Sequence, residues 1–237
     1  MRVVIPAAGQ GTRLRPLTDD RPKALVDVAG KPLLARVFDA VYSLDVSGFV
    51  VVVGYRGEAI VERFGDAYRG LPIHYVHQET RRGLGDAVLC AEGAVDGPFL
   101  VVNGDNAIDA DLSPVLAHHR EHGPTATLPL WTVPAAEARE TGVAVVEDGR
   151  VTAVVEKPEE PASTTVMTGI GVYEPALFDA CRRVDPSVRG EVELPDAIDL
   201  LVREGHRVDA LAFPGWRLNV NTPSDVEAAA RRFGAVE

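Results

Sequence analysis

"RVVIPAAGQGTRLRPLT", residues 2–18, is the stretch from which the fold is read. "RVVIP" (2–6) is a short, almost wholly apolar run, which reads as a buried strand. It passes directly into Gly9 and Gly11 and then into Arg13 and Arg15. A loop leaving the carboxyl end of a parallel strand is where open α/β sheets bind ligands. Glycines there let backbone N–H groups close on an anion. Two familiar phosphate fingerprints do not fit. The dinucleotide pattern G-x-G-x-x-G meets Leu14 at its third glycine, and no Gly-Lys-Ser/Thr occurs anywhere in the chain.

Outward from that loop the same alternation continues. "PLLARVFDAVYSLD" (32–45) carries apolar residues at 33, 34, 37, 38, 41 and 44, the period of an amphipathic helix. "FVVVV" (49–53) is a strand, "RGEAIVERFG" (56–65) a short helix, "IHYVH" (73–77) a strand, "GDAVLCAEGAV" (85–95) a helix and "FLVVN" (99–103) a strand. Strand and helix in turn build right-handed βαβ units with helices on both faces of a sheet.

The second half changes character. "VAVVE-DG-RVTAVVE" (143–156) is two alternating strands about Asp-Gly, a strong hairpin signal. "TGIGVY" (168–173) reads as a strand, and 191–205 and 223–234 as helices. The expected fold class is α/β: a Rossmann-like three-layer sandwich with a mixed, mostly parallel central sheet and an antiparallel hairpin addition. No composition break marks a linker, so residues 1–237 are expected to form a single domain without a C-terminal β-helix.

Composition narrows the function. The chain has 237 residues with 46% hydrophobic and 25% charged content, ordinary for a globular protein. No apolar run reaches the roughly 20 residues of a membrane helix. The N-terminus has no secretory pattern, and Cys90 and Cys181 stand alone. A cytoplasmic setting without membrane contact is expected. A net charge of −11 disfavours binding to a nucleic-acid polymer, so a phosphate ligand needs a local basic site or a cation. Of 24 basic residues only Lys23, Lys31 and Lys157 are lysines, which suggests that a compact ammonium is kept where a point charge is needed.

"AAGQGTRLRPLTDDRPKALVDVAGKPLL" (7–34) resembles the signature of the sugar-1-phosphate nucleotidylyltransferases. The resemblance implies that the main chain at Ala8 and Gly9 receives the nucleoside. Gly11, Thr12 and Arg13 would surround the triphosphate, and Lys23 would reach the reacting phosphates. Arg13 and Lys23 are the implied catalytic pair. "HQETRRGLGDAV" (77–88) resembles the base-reading segment, with Gln78 and Gly83 at the family's spacing. A glutamine amide offers a donor and an acceptor, which suits the imide edge of uracil or thymine.

"VVNGDN" (101–106) resembles the segment that supplies a Mg²⁺ ligand, here Asp105. "VVEKPEEP" (154–161) implies Glu156 on sugar hydroxyls and Lys157 on the sugar phosphate. Gly142, Thr168 and Glu191 lie in stretches that resemble the rest of the sugar pocket. "GWRLNVNTPSDVEAA" (215–229) departs from the family pattern. The usual second metal-binding Asp is Asn219, and a small glycine is Asn221. An amide oxygen can ligate Mg²⁺ but brings no charge, so weaker metal binding is expected.

The pieces "VVVVGYRGE", "GLGDAV", "EKPEEP", "VMTG" and "DAIDLL" make the chain most similar to short glucose-1-phosphate uridylyl- and thymidylyltransferases of haloarchaeal type. The implied partners are a nucleoside triphosphate, UTP or dTTP, and a hexose 1-phosphate, with Mg²⁺ as cofactor. The alternatives are a cytidylyl- or guanylyltransferase for another phosphorylated sugar or alcohol, and a non-catalytic nucleotide-sugar binder. No stretch identifies an oligomer interface. "HHREH" (118–122) fits the His-x-x-Glu-His metalloprotease pattern, but its setting reads as the polar outer face of a helix, with no zinc site.

Overall fold

The computed structural model describes residues 1–234. Eleven strands join in one sheet. From edge to edge they run Thr165–Met167, Gly142–Glu147, Arg150–Glu156, Val208–Ala212, Ala126–Thr132, Ile170–Tyr173, Phe99–Val102, Arg2–Pro6, Gly48–Val53, Leu71–His77 and Ala67–Tyr68. Arg2–Pro6 lies parallel between Phe99–Val102 and Gly48–Val53, and Leu71–His77 continues that parallel set. Ile170–Tyr173 runs antiparallel to both of its neighbours, which makes the sheet mixed. Thr165–Met167 also pairs with Ala126–Thr132, so that end of the sheet closes on itself.

Val3, Val4 and Ile5 are wholly buried because both faces of the opening strand are covered. Side chains alternate along a strand. Val4, Val50, Val52 and Val101 therefore pack with the helices Leu84–Cys90, Ala176–Arg183 and Leu194–Arg203. Val3, Ile5, Val51 and Val102 face the opposite layer, which holds Leu33–Tyr42, Gly57–Phe64 and Ser113–His122. A smaller cluster of Leu14, Val26, Val28, Leu33, Ala107 and Val220 lies under the glycine loop and anchors it. No described helix is long and apolar enough to cross a membrane.

The hairpin turns where the sequence places it: Asp148 (φ 48°) and Gly149 (φ 75°) both take the positive φ that a two-residue turn of this type requires. The expected helix 85–95 stops at Cys90 and ends in a 3₁₀ turn, Glu92–Ala94. The one expected at 191–205 starts only at Leu194. A two-stranded ribbon of Asn106–Ala110 and Gly215–Asn219 is absent from the sequence reading. Its pairing partners are more than a hundred residues apart, and neither segment alternates clearly in hydrophobicity.

The helix Ser113–His122 exposes Arg120, Glu121 and His122, the polar outer face that the sequence suggests, and buries one histidine on its inner face. His119 is buried, with Nδ1 2.9 Å from Thr127 Oγ1, and His118 Nε2 lies 2.8 Å from Asp209 Oδ2. The rings of His118 and His122 stack with centroids 4.2 Å apart. No group of three His, Cys, Asp or Glu side chains among the described residues is arranged to hold a metal.

Candidate functional site

A cavity of about 360 Å³ opens at the carboxyl ends of the central parallel strands. Ala8, Gly9, Gly11, Thr12, Arg13, Lys23, Gln78, Gly83, Asp105 and Glu191, singled out from the sequence, all line it. Arg81, Asn103 and Asn221 line it as well and were not singled out for this site.

The loop is built by local necessity. Gly11 sits in the left-handed region at φ 63°, and a Cβ there would come within 2.9 Å of Lys23 Cβ. Its carbonyl accepts hydrogen bonds from Thr18 Oγ1 at 2.8 Å and Leu14 N at 2.9 Å, which closes the 3₁₀ turn Thr12–Leu14. Burial of Leu14 then aims Arg13 back toward solvent and cavity. A Cβ on Gly9 would meet nothing within 4 Å, so protein packing does not demand glycine there. What the missing side chain leaves is room for a ligand against the backbone.

Lys23 Nζ donates to Asp105 Oδ2 and to Asn221 Oδ1, each at 2.8 Å. The lysine side chain is 12% exposed and the aspartate 32%, so this ion pair is partly shielded from water. The other oxygen, Asp105 Oδ1, is buried and has no hydrogen-bond partner; Asn103 Oδ1 is in the same condition. Buried unpaired acceptors are costly and mark a place for a donor or a cation. Neither Arg13 nor Arg81 forms an ion pair among the described residues, so the wall has cationic charge to spare.

The structure departs from the expected metal position. Asn219 is outside the cavity lining, and its Oδ1 accepts from Arg217 Nη1 at 3.0 Å. Asn221 faces Lys23 and Asp105 instead. Asn219 is the last paired residue of the ribbon; beyond it Val220 is buried in the core and Asn221 reaches the cavity wall. Arg217 also donates to the Thr168 carbonyl at 2.6 Å and to Asn106 Oδ1 at 3.3 Å. Burial pulls its guanidinium below the ordinary arginine value, against the upward pull of Asp105 and Glu137.

Gln78 is also more constrained than its residue type suggests. Its Nε2 donates to Gly83 O at 3.1 Å and to Asp86 Oδ2 at 2.7 Å, which uses both amide hydrogens. The side chain therefore offers the cavity an acceptor and not a donor–acceptor pair. Gly83 (φ 99°) is tightly confined: a Cβ there would stand 2.6 Å from Val192 O.

The remaining predicted residues lie at the hairpin. Gly142 pairs directly with Glu156, and a Cβ on Gly142 would meet Pro195 Cγ at 3.0 Å. Lys157 takes φ 43°, a strained conformation for a lysine, and its ammonium is 3.4 Å from Glu156 Oε1. Arg189, missed from the sequence, joins Glu156 at 3.4 Å and Glu193 at 2.7 Å. The hydrogen bond that Arg189 donates to the Glu193 carboxylate raises its guanidinium despite partial burial. Thr168 does not present its hydroxyl to this region. It is fully buried and Oγ1 donates to Pro129 O at 2.7 Å, so its part is to hold the neighbouring turn.

The chain is similar to known proteins over nearly its whole length. Residues 2–231 match the family described as nucleotidyl transferase. The chain is 46% identical to the UTP–glucose-1-phosphate uridylyltransferase AglF of Haloferax volcanii, over 98% of this chain and 96% of that protein. It is 33% identical to a glucose-1-phosphate thymidylyltransferase of Streptomyces griseus, over 95% of this chain and 64% of that one. Among solved structures, a UDP-glucose pyrophosphorylase complexed with UDP-glucose superimposes with a TM-score of 0.88 at 23% identity, over 100% of this chain and 99% of the other. A UTP-bound enzyme of the same kind from Acinetobacter baumannii gives 0.88 at 22%, over 100% and 94%. At that identity the two structures speak for the fold alone.

Proposed function

The chain belongs to the nucleotidyl transferase family, and from that premise we propose that it transfers a nucleotidyl group from UTP or dTTP to a hexose 1-phosphate, foremost glucose 1-phosphate. The products are a nucleotide sugar and pyrophosphate. The observation that carries this reading is the convergence of the Gly9–Arg13 loop, Lys23, Gln78, Gly83 and Asp105 on one cavity. The relative at 46% identity, named for UTP and glucose 1-phosphate, supports the substrate choice.

In the proposed reaction a phosphate oxygen of the sugar phosphate attacks the α-phosphorus, and the bond to pyrophosphate breaks on the opposite side. The nucleophile is already an anion near neutral pH, so no general base is required. The barrier lies in bringing two anions together, and catalysis is positioning with charge neutralisation. Arg13 and Lys23 serve the triphosphate. Lys157 and Arg189 stand at the hairpin end for the sugar phosphate, and Glu156 accepts from sugar hydroxyls.

The residues present suit Mg²⁺. Asp105 Oδ1 is a buried carboxylate oxygen without a partner, and Asn221 adds a neutral oxygen on the same wall. A site with so few protein ligands matches the way Mg²⁺ keeps waters and substrate phosphates in its shell. When bound, the ion supplies neutralisation of phosphate charge.

The test is pyrophosphate release from glucose 1-phosphate and Mg²⁺ with UTP, dTTP, CTP, GTP and ATP in parallel. Release with UTP or dTTP supports the reading. Silence with all five, from protein that binds one of them, replaces it with a nucleotide binder or another acceptor.

A further inference from the structure

Asp86 is an unusual group to find behind a nucleobase pocket. It is only 4% exposed and sits in the first turn of the helix Leu84–Cys90. One carboxylate oxygen accepts Gln78 Nε2 at 2.7 Å, and the other accepts Arg82 Nε and Nη2 at 3.1 and 2.8 Å. Gln78 is itself 5% exposed, and its second amide hydrogen goes to Gly83 O. Turning the amide over would set its oxygen against a carboxylate and a carbonyl at once. Those two acceptors forbid that rotamer by lone-pair repulsion. No described residue donates to Gln78 Oε1, so that oxygen is left for a ligand.

We propose that Asp86, held by Arg82, is a specificity-determining positioning residue that locks Gln78 with Oε1 toward the base. This rests on the nucleotidyl-transfer reading and adds the source of base choice to it. A locked acceptor favours a base with a ring N–H opposite it, as in uracil and thymine at N3. Cytosine presents a lone pair at N3, and two acceptors then face each other across a site with little water. A site built to hydrogen-bond one partner rejects an analogue lacking the donor far more strongly than a site distinguishing sizes does.

The test compares kcat/KM for UTP and CTP in the wild type, Asp86→Asn and Asp86→Ala. In Asp86→Asn the two Arg82 donors claim the new amide's oxygen, which turns its N–H₂ toward Gln78 Nε2; one of the two acceptors becomes a donor, and Gln78 is no longer locked in one orientation. The expected result is that the UTP preference falls about tenfold or more in Asp86→Asn, equivalent to about 1.4 kcal/mol, and by less in Asp86→Ala. A purely structural role predicts the reverse order, because asparagine is the closer isostere. An unchanged preference in a folded variant, or the larger fall in Asp86→Ala, overturns the proposal. Folding is read from circular dichroism and the unfolding midpoint. If neither variant folds, Arg82→Gln at the exposed end of the pair is used. A reduced UTP preference supports the lock, and an unaltered one overturns it. Calorimetric binding of UTP and CTP to the same proteins separates the two readings. If the wild type transfers nothing yet binds UTP over CTP, the reaction fails and the lock stands. Equal binding of both overturns the lock alone.

Discussion

Lys23 and Asp105 meet at 2.8 Å across 82 residues of sequence, and Asn221 completes the bridge from the far end of the chain. The ammonium occupies one oxygen of the carboxylate and leaves the other bare. Lys23→Met leaves a part-buried carboxylate without its cation, so a stability loss of about 1–3 kcal/mol is expected. Turnover is expected to fall about a hundredfold or more, since a charge aimed at the reacting phosphates is gone. Urea unfolding and steady-state pyrophosphate release check the two effects separately. A variant with turnover intact removes Lys23 from the reacting centre.

Arg13 differs because no carboxylate among the described residues holds it. Arg13→Ala is expected to leave the unfolding midpoint within about 0.5 kcal/mol of wild type. It lowers kcat much more than it raises KM, because the guanidinium is needed most when charge develops in the transition state. Equal loss in binding and turnover would assign it to ground-state binding.

The two asparagines separate the sequence expectation from the geometry. Asn221→Ala removes an oxygen from the cavity wall, so the Mg²⁺ concentration for half-maximal activity is expected to rise about tenfold, on the scale of losing one metal-site partner. Asn219→Ala removes only an acceptor for Arg217, and its Mg²⁺ dependence is expected to stay close to wild type. Mg²⁺ titrations of both variants decide. The opposite ranking returns the ligand role to Asn219.

Gly11→Ala puts a Cβ at φ 63° and 2.9 Å from Lys23 Cβ. The strain costs about 1–3 kcal/mol. Displacement of Lys23 is expected to lower activity as well, so the midpoint and the rate fall together. Gly9→Ala, with open space at its Cβ, is expected to keep its stability and lose nucleotide affinity. Calorimetry of UTP binding beside thermal unfolding distinguishes the two glycines.

Acid stability turns on the histidine helix. Burial holds His119 below its ordinary value of 6.5, against the upward pull of the Glu174 hydrogen bond and charge. The unfolded chain then binds the proton more readily, so stability falls as pH drops through about 6.5. Asp209 acts lower: burial would raise it, but hydrogen bonds from Arg207 and His118 hold it below 3.8. Its contribution is present above that value and is lost as pH falls beneath it. His119→Gln is expected to flatten the fall in unfolding midpoint between about pH 7 and pH 5 and leave the steeper loss near pH 4. An unchanged slope would place the titration elsewhere.

Much of the α/β core was legible because its signals are local. A run such as "FVVVV" has no polar side to expose, so it needs cover on both faces, and the helix period of 32–45 supplies part of that cover. Asp148-Gly149 carries its turn in its own backbone preferences. The ribbon of 106–110 with 215–219 was hidden because each half gains strand character only from the other. Ten of the residues singled out for the site do line the cavity, since the loop and strand ends that bear them follow from the same local patterns.

By itself, then, the sequence determined which residue types stand at the mouth of the sheet: the glycine loop, its cations and the carboxylates Asp105 and Glu191. Only the tertiary structure decided what each side chain does with its hydrogen bonds. It turned Thr168 inward to Pro129, gave Asn219 to Arg217 and placed Asn221 on Lys23. It also spent both amide hydrogens of Gln78. The reason is that a polar side chain's direction is set by which donors and acceptors surround it once water is gone, and most of those partners come from distant parts of the chain.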